Sequence, residues 1–125
     1  MKLNASALRH LDRDDFRVLS GVELGMRNHE YVPVELIARV AGLRRGGIGM
    51  ILSKVCRLGL LHRQRKAFEG YRLTSQGYDY LALRALVRRG TVVALGRQIG
   101  VGKESDVFIA QSDDGDEVVV KFHRL

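Results

Sequence analysis

An α+β chain is predicted, with helices first and antiparallel strands after them. Three observations carry that reading. Apolar residues recur at three- to four-residue spacing in four stretches before Gly90, the mark of amphipathic helices. Beyond Gly90 the spacing gives way to short apolar runs separated by glycine and aspartate, as in strands joined by tight turns. Charge divides at the same place: residues 1–90 carry 17 Lys+Arg against 8 Asp+Glu, or +9, and residues 91–125 carry 4 against 6, or −2.

The first helix begins after Asp12, an N-cap with Asp15 at N3, and Phe16, Leu19, Val22 and Met26 form its apolar stripe until it frays near Asn28-His29. The single proline, Pro33, opens a short second helix, where its missing N–H is harmless; Leu36, Ile37, Val40 and Ala41 give it an apolar face and Gly42 ends it. A third helix follows, with Ile48, Ile51, Leu52, Val55 and Leu58 on one side and Gly59 as its stop. Leu60 to Arg65 and Tyr71 to Thr74 read as two strands joined across residues 66–70. A fourth helix starts from a Thr74 or Ser75 cap and turns Tyr78, Leu81, Ala82, Ala85 and Leu86 to one side before Gly90. Helix, helix, helix, hairpin, helix is the order of a winged helix-turn-helix domain, expected over residues 1–90.

A small domain with this excess of cations attracts polyanions, nucleic acid first among them, because each neutralised phosphate releases counterions; a solvated basic surface is the plainer alternative. Sequence-specific readout of DNA needs Arg, Asn or Gln on the third helix facing base edges. Here the non-buried positions are Gly46, Gly47, Gly49, Met50, Ser53, Lys54 and Arg57, three of them glycines with nothing to offer a base. Arg44, Arg45, Lys54 and Arg57 beside that helix, with Arg63, Arg65 and Lys66 on the wing, suit phosphate contacts instead. Binding of folded RNA by shape and phosphate is the expectation; docking on protein and sequence-selective binding of DNA by a regulator with a merely structural C-terminal hairpin are its alternatives.

After Gly90, Val92 to Leu95 leads toward Gly96-Arg97-Gln98-Ile99, and Asp106 to Gln111 and Val118 to Phe122 are further strands joined through Asp114-Gly115, a strong turn signal. Gly100 to Val107 matches the phosphate-loop pattern G-x-G-x-x-G-x-V of protein kinases, with Ser105 at the third glycine. Gly100 and Gly102 lack Cβ, so such a turn can lie close over phosphates and aim backbone N–H groups at them, and Ser105 adds a hydroxyl donor. Val118-Val119-Val120-Lys121 resembles the lysine-bearing third strand of kinases, V-A-I-K. A Walker loop is excluded, because Gly102-Lys103 is followed by Glu104 and position 97 is Arg where its first glycine belongs. The fold class is therefore a winged helix-turn-helix domain followed, over residues 91–125, by the first three antiparallel strands of a protein-kinase-like N-lobe.

Other classes of function fall away. No apolar run approaches the roughly 20 residues a membrane span requires, and Met1-Lys2-Leu3-Asn4 lacks the apolar stretch of a secretory signal, so a cytoplasmic protein is expected. The one cysteine, Cys56, cannot form an internal disulfide and sits in an apolar helical pattern. His10, His29, His62 and His123 show none of the close pair spacings of zinc sites, and no metal site is expected.

Residues 100–108 and 119–124 are similar to the nucleotide loop and third strand of RIO-type atypical protein kinases. Upstream, Arg13 to Leu19 and Gly77 to Leu83 resemble the RIO subfamily that carries a winged helix, so the likeness spans essentially the whole chain. It implies an ATP- and Mg²⁺-dependent serine/threonine kinase or ATPase acting on the pre-ribosomal small subunit, its rRNA and ribosomal proteins, in the cytoplasm. It further implies that Lys121 binds the phosphates of ATP, that Gly100, Gly102, Lys103 and Ser105 form the phosphate loop, and that Ile99, Val107 and Val119 sandwich the adenine. The Asp and metal-holding groups that phosphoryl transfer needs have no counterpart before Leu125, so the parent protein is expected to be an enzyme and these residues alone inactive.

Overall fold

The computed structural model describes residues 10–89, 94–101 and 105–123, apart from the side chains of residues 45, 94–97 and 101. Helix α1 (Arg13–Gly25) starts from a reciprocal cap: the Asp15 N–H donates to the Asp12 carboxylate and the Asp12 N–H to that of Asp15, each at 2.9 Å. Two of the orphan donors of a helix start are thereby satisfied. Phe16, Val18, Leu19 and Val22 are buried along it. Helix α2 (Val34–Ala41) and helix α3 (Arg45–Arg57) pack against α1, and both stop at glycines with left-handed φ, Gly42 at 69° and Gly59 at 79°. Ile37, Ala38 and Ala41 are the buried face of α2, and Ile48, Leu52 and Val55 that of α3.

Strands β2 (Leu61–Gln64) and β3 (Gly70–Leu73) form the expected wing hairpin. A strand the sequence reading lacks joins them: β1 (Val32–Pro33) pairs antiparallel with β3, Val32 opposite Tyr71 and Pro33 opposite Gly70, so the wing sheet has the order β1-β3-β2. Pro33 accordingly ends a strand and caps α2 from outside rather than occupying its first turn. Helix α4 (Ser75–Arg88) is capped by Thr74, whose hydroxyl accepts the Gly77 N–H at 3.1 Å and donates to the Gly59 carbonyl at 2.6 Å. Its first turn lies against the backbone of Leu60, where a Cβ on Gly77 would stand 2.3 Å from the carbonyl oxygen. Close approach, rather than an unusual φ, is what demands glycine there.

The last three strands, β4 (Ala94–Val101), β5 (Ser105–Gln111) and β6 (Glu117–His123), form a second antiparallel sheet in sequence order. The turn before β6 is closed by the Gly115 N–H donating to Ser112 O and the Ser112 N–H to Asp116 O, with Gly115 at φ 86°. One face buries Phe108, Ala110, Val120 and Phe122, the two phenylalanines edge to face with centroids 5.9 Å apart. Among the described residues no helix is long and apolar enough to cross a membrane.

Candidate functional site

The opposite face of the second sheet gathers the residues that the motifs single out. Antiparallel partners directly across a ladder share a face, and the register puts Gly100 opposite Val107 and Val107 opposite Lys121, one row across three strands. The next row pairs Ile109 with Val119, and the row on the other side pairs Ser105 with His123. Alternation along β5 and β6 therefore brings Ser105, Val107, Val119 and Lys121 to one surface, away from the phenylalanines. Val119 is 59% exposed and Ile99 47%, large apolar side chains held in the open. Lys121 is exposed and has no ionic partner among the described residues.

Ile99 sits at an irregularity of β4. Gln98 stands opposite Phe108 and Gly100 opposite Val107, so β4 spends two residues where β5 spends one, and Ile99 is the extra one. Such a bulge bends a strand and re-aims its side chains. The Gln98 amide fastens it, donating to the Gly100 carbonyl and to the buried Asp106 carboxylate, both at 3.2 Å. Neither Gln98 nor Ile109 is given a site role by the sequence; the alternation from Val107 points to Ile109, but nothing local points to Gln98. A Cβ on Gly100 would meet Val107 at 3.5 Å, an ordinary contact, and its φ is not left-handed. The protein's own packing thus does not require glycine at position 100. Gly102 and Lys103 of the expected phosphate loop lie outside the described residues. A concavity of about 940 Å³ between α1, α4 and the end of β6 also touches Lys121, but Phe16, Leu24, Tyr78 and Arg84 line it and neither Gly100 nor Val107 does.

The expected basic face is sorted by its partners. The exposed side of α3 is Gly46, Gly47, Gly49, Met50, Ser53 and Arg57, as the periodicity predicts, with Met50 81% exposed. Lys54 turns inward, its ammonium on the Asp15 carboxylate at 2.5 Å. Arg63 bonds Glu69 at 2.8 Å and lies over the Tyr71 ring. Its hydrogen bond with Glu69 raises the Arg63 pKa and lowers that of Glu69 below the usual carboxylate value. Burial, followed by the hydrogen bond to Glu69, pushes the Tyr71 hydroxyl well above the ordinary tyrosine range. Arg44, Arg57, Arg65 and Lys66 are exposed and without a hydrogen-bond or ion-pair partner among the described residues, and the side chain of Arg45 is not described. Cys56 is half-buried, and burial raises its thiol pKa, the opposite of what a nucleophile needs.

Residues 8–89 match the family model "Rio2, N-terminal". The chain is 50% identical over 125 residues to the serine/threonine-protein kinase RIO2 of Caenorhabditis elegans, covering 99% of this chain and 24% of that one. It is 50% identical over 125 residues to the serine/threonine-protein kinase rio2 of Dictyostelium discoideum, covering 100% and 24%. It thus spans about a quarter of the length of these relatives. Its structure is similar to that of the Rio2 kinase of Chaetomium thermophilum in complex with ADP, Mg²⁺ and phosphoaspartate, with a TM-score of 0.90 and 46% identity over 99% of this chain and 38% of that one. The alternative of a DNA regulator gains nothing from these likenesses or from an α3 whose exposed entrance is glycine.

Proposed function

Because the chain belongs to the Rio2 family of atypical kinases, we propose that it is the N-terminal part of an ATP-dependent serine/threonine kinase or ATPase that works on the maturing small ribosomal subunit in the cytoplasm. Residues 91–125 are the start of its ATP-binding lobe, and residues 1–90 dock the enzyme on rRNA or ribosomal protein. The observation that carries the enzymatic reading is the row Gly100–Val107–Lys121 on one face of the second sheet.

That face fits a nucleoside triphosphate. Ile99, Val107 and Val119 offer apolar surface for the adenine, and the Lys121 ammonium lies in the same row as Gly100, where the absent Cβ leaves room above the sheet for phosphates. We assign the rest of the phosphate-binding loop to Gly102, Lys103 and Ser105. A relative solved with ADP and Mg²⁺ supports these as the ligands. Mg²⁺, when bound, neutralises charge on the phosphates. Among the described residues no three His, Cys, Asp or Glu side chains come together. We assign the groups that hold the metal and orient the phosphoacceptor to the part of the longer relatives that this chain does not span.

The test is Lys121→Ala in the full-length protein. ATP turnover is expected to fall by two orders of magnitude or more, since a phosphate clamp is an electrostatic contribution of the largest kind, with thermal melting unchanged because the side chain is exposed. Equal turnover in the variant would remove the role given to Lys121. For the docking domain, affinity for rRNA should fall steeply with added salt.

A further inference from the structure

On the outer face of the wing, Tyr31, Arg72 and His62 stand together. The register that buries Val32 against Tyr71 turns Tyr31 outward beside Arg72, and Arg72 is paired with His62. The Arg72 guanidinium lies 5.2 Å from the centroid of the Tyr31 ring, and the Tyr31 hydroxyl and His62 Nδ1 share a hydrogen bond of 2.9 Å. Phe68 belongs to the same patch. A Cβ on Gly70 would strike the Phe68 ring at 2.7 Å and the Tyr31 Cβ at 2.9 Å, so the glycine lets these two aromatic residues close over one backbone position. Phe68 nevertheless remains 43% exposed, standing between Ala67 and Glu69 and two residues after Lys66.

Charge on this hairpin is one-sided. Residues 61–73 hold Arg63, Arg65, Lys66 and Arg72 against Glu69 alone. Both Glu69 oxygens are already engaged, one by Arg63 and one by the Tyr71 hydroxyl, each at 2.8 Å. Arg65, Lys66 and Arg72 are exposed and make no hydrogen bond or ion pair with a carboxylate among the described residues, although Arg65 lies near enough to Glu69 to help lower its pKa. The exposed Phe68 ring, the half-buried Tyr31 ring and the guanidinium laid over it are stacking surfaces, and such surfaces meet bases only where bases are splayed out of a duplex. Nearby unpaired cations supply the phosphate contacts that hold such a strand.

We propose that the outer face of the wing binds an unpaired stretch of RNA, with bases stacked on Tyr31, Arg72 and Phe68 and the backbone held by Arg65 and Lys66. The inference rests on the reading of residues 1–90 as an RNA-docking domain, and it moves the contact from the glycine-lined α3 to the wing.

Fluorescence anisotropy with the intact chain and a labelled oligouridylate, set against an RNA duplex of equal length at matched salt, tests it. The single strand is expected to bind more tightly. Tyr31→Leu and Phe68→Leu, which keep apolar cover over Gly70, should each weaken it by about five- to a hundredfold, whereas Tyr31→Phe should bind like the parent. Arg65→Gln should lower the salt slope by about one. Parent-like affinity of both leucine variants, or equal affinity for the duplex, would overturn stacking while leaving phosphate-led docking in place. Equal affinity for oligothymidylate would overturn RNA as the occupant. Absence of any RNA binding, with capture of a ribosomal protein instead, would overturn both this inference and the RNA reading of the domain.

Discussion

Changing Lys54 to alanine would leave the Asp15 carboxylate, 1% exposed, with a single donor, the Asp12 N–H. The ammonium it loses comes from α3, 39 residues away, and is the link that ties that helix to the start of α1. Removing one partner of a buried ion pair costs about 3–5 kcal/mol. The Lys54 side chain is one-third exposed, so water can enter part of the vacated space, and the expected loss shrinks to about 2 kcal/mol. For a domain of this size that lowers the melting temperature by about 8–16 °C. Urea denaturation followed by circular dichroism measures it. A double-mutant cycle with Asp15→Asn, which keeps an acceptor for the cap, isolates the pair and should return a coupling of about 1–2 kcal/mol. The same variant probes function, because a lysine committed to Asp15 should contribute little to the salt slope of RNA binding. Lys54→Ala unfolding within about 0.5 kcal/mol of the parent, or a coupling of zero, would refute the assignment of Lys54 to the fold and return it to the phosphate-binding set.

Glycine substitutions should split by surroundings. Gly77→Ala gains helix propensity of about 1 kcal/mol but drives its Cβ into the Leu60 carbonyl, so a net loss of about 1–3 kcal/mol is expected from denaturation curves. Gly47→Ala, with nothing within 4 Å of the new Cβ, should instead stabilise by about 0.5–1 kcal/mol. Alkali should act through Tyr71. Its folded pKa is raised by burial, so below the unfolded value of about 10 both states keep the proton and the contribution is whole. Above it the unfolded chain ionises first, and stability falls by up to about 1.4 kcal/mol per pH unit. Urea midpoints between about pH 9.5 and pH 11 should drop more steeply in the parent than in Tyr71→Phe.

What the sequence discloses here follows the range of the interactions involved. Helices α1 to α3 were legible because a cap such as Asp12 with Asp15, a stop such as Gly42 or Gly59, and a stripe such as Ile48, Leu52, Val55 all lie within a few turns of chain; α4 was legible by its Thr74 cap, but it buries Tyr80 and Leu83 while Tyr78, Ala82 and Ala85 of the expected face stand exposed. The face shared by Val107 and Lys121 was legible for the same reason, since alternation on each strand and the Asp114-Gly115 turn suffice to align them. Strand β1 escaped notice because two residues carry no periodicity; only its pairing with Tyr71 and Gly70, nearly forty positions on, makes it a strand. The commitment of Lys54 to Asp15 and the grouping of Tyr31 with Arg72 and His62 are equally non-local. Of the seven cations that their positions beside α3 and on the wing assign to phosphate, only pairing in space separates Lys54 and Arg63, which bond Asp15 and Glu69, from those left for a ligand.

The second sheet makes the dependence of function on packing explicit. Side chains alternate with a period of two, so a slip of one residue between β5 and β6 would carry Lys121 to the covered face and push Phe122 into solvent. Phe108 and Phe122 oppose that slip: they sit diagonally on adjacent strands, edge to face, and both are buried. Exposing one of them costs about 1.5–3 kcal/mol, and burying an unpaired ammonium costs more. The register is thus selected from both sides, by what must be covered and by what cannot be. The bulge at Ile99 then makes a local exception on β4 alone, and Gln98 holds that exception in place through Asp106. The side of the sheet on which Lys121 stands is in this sense a property of the phenylalanines on its far side.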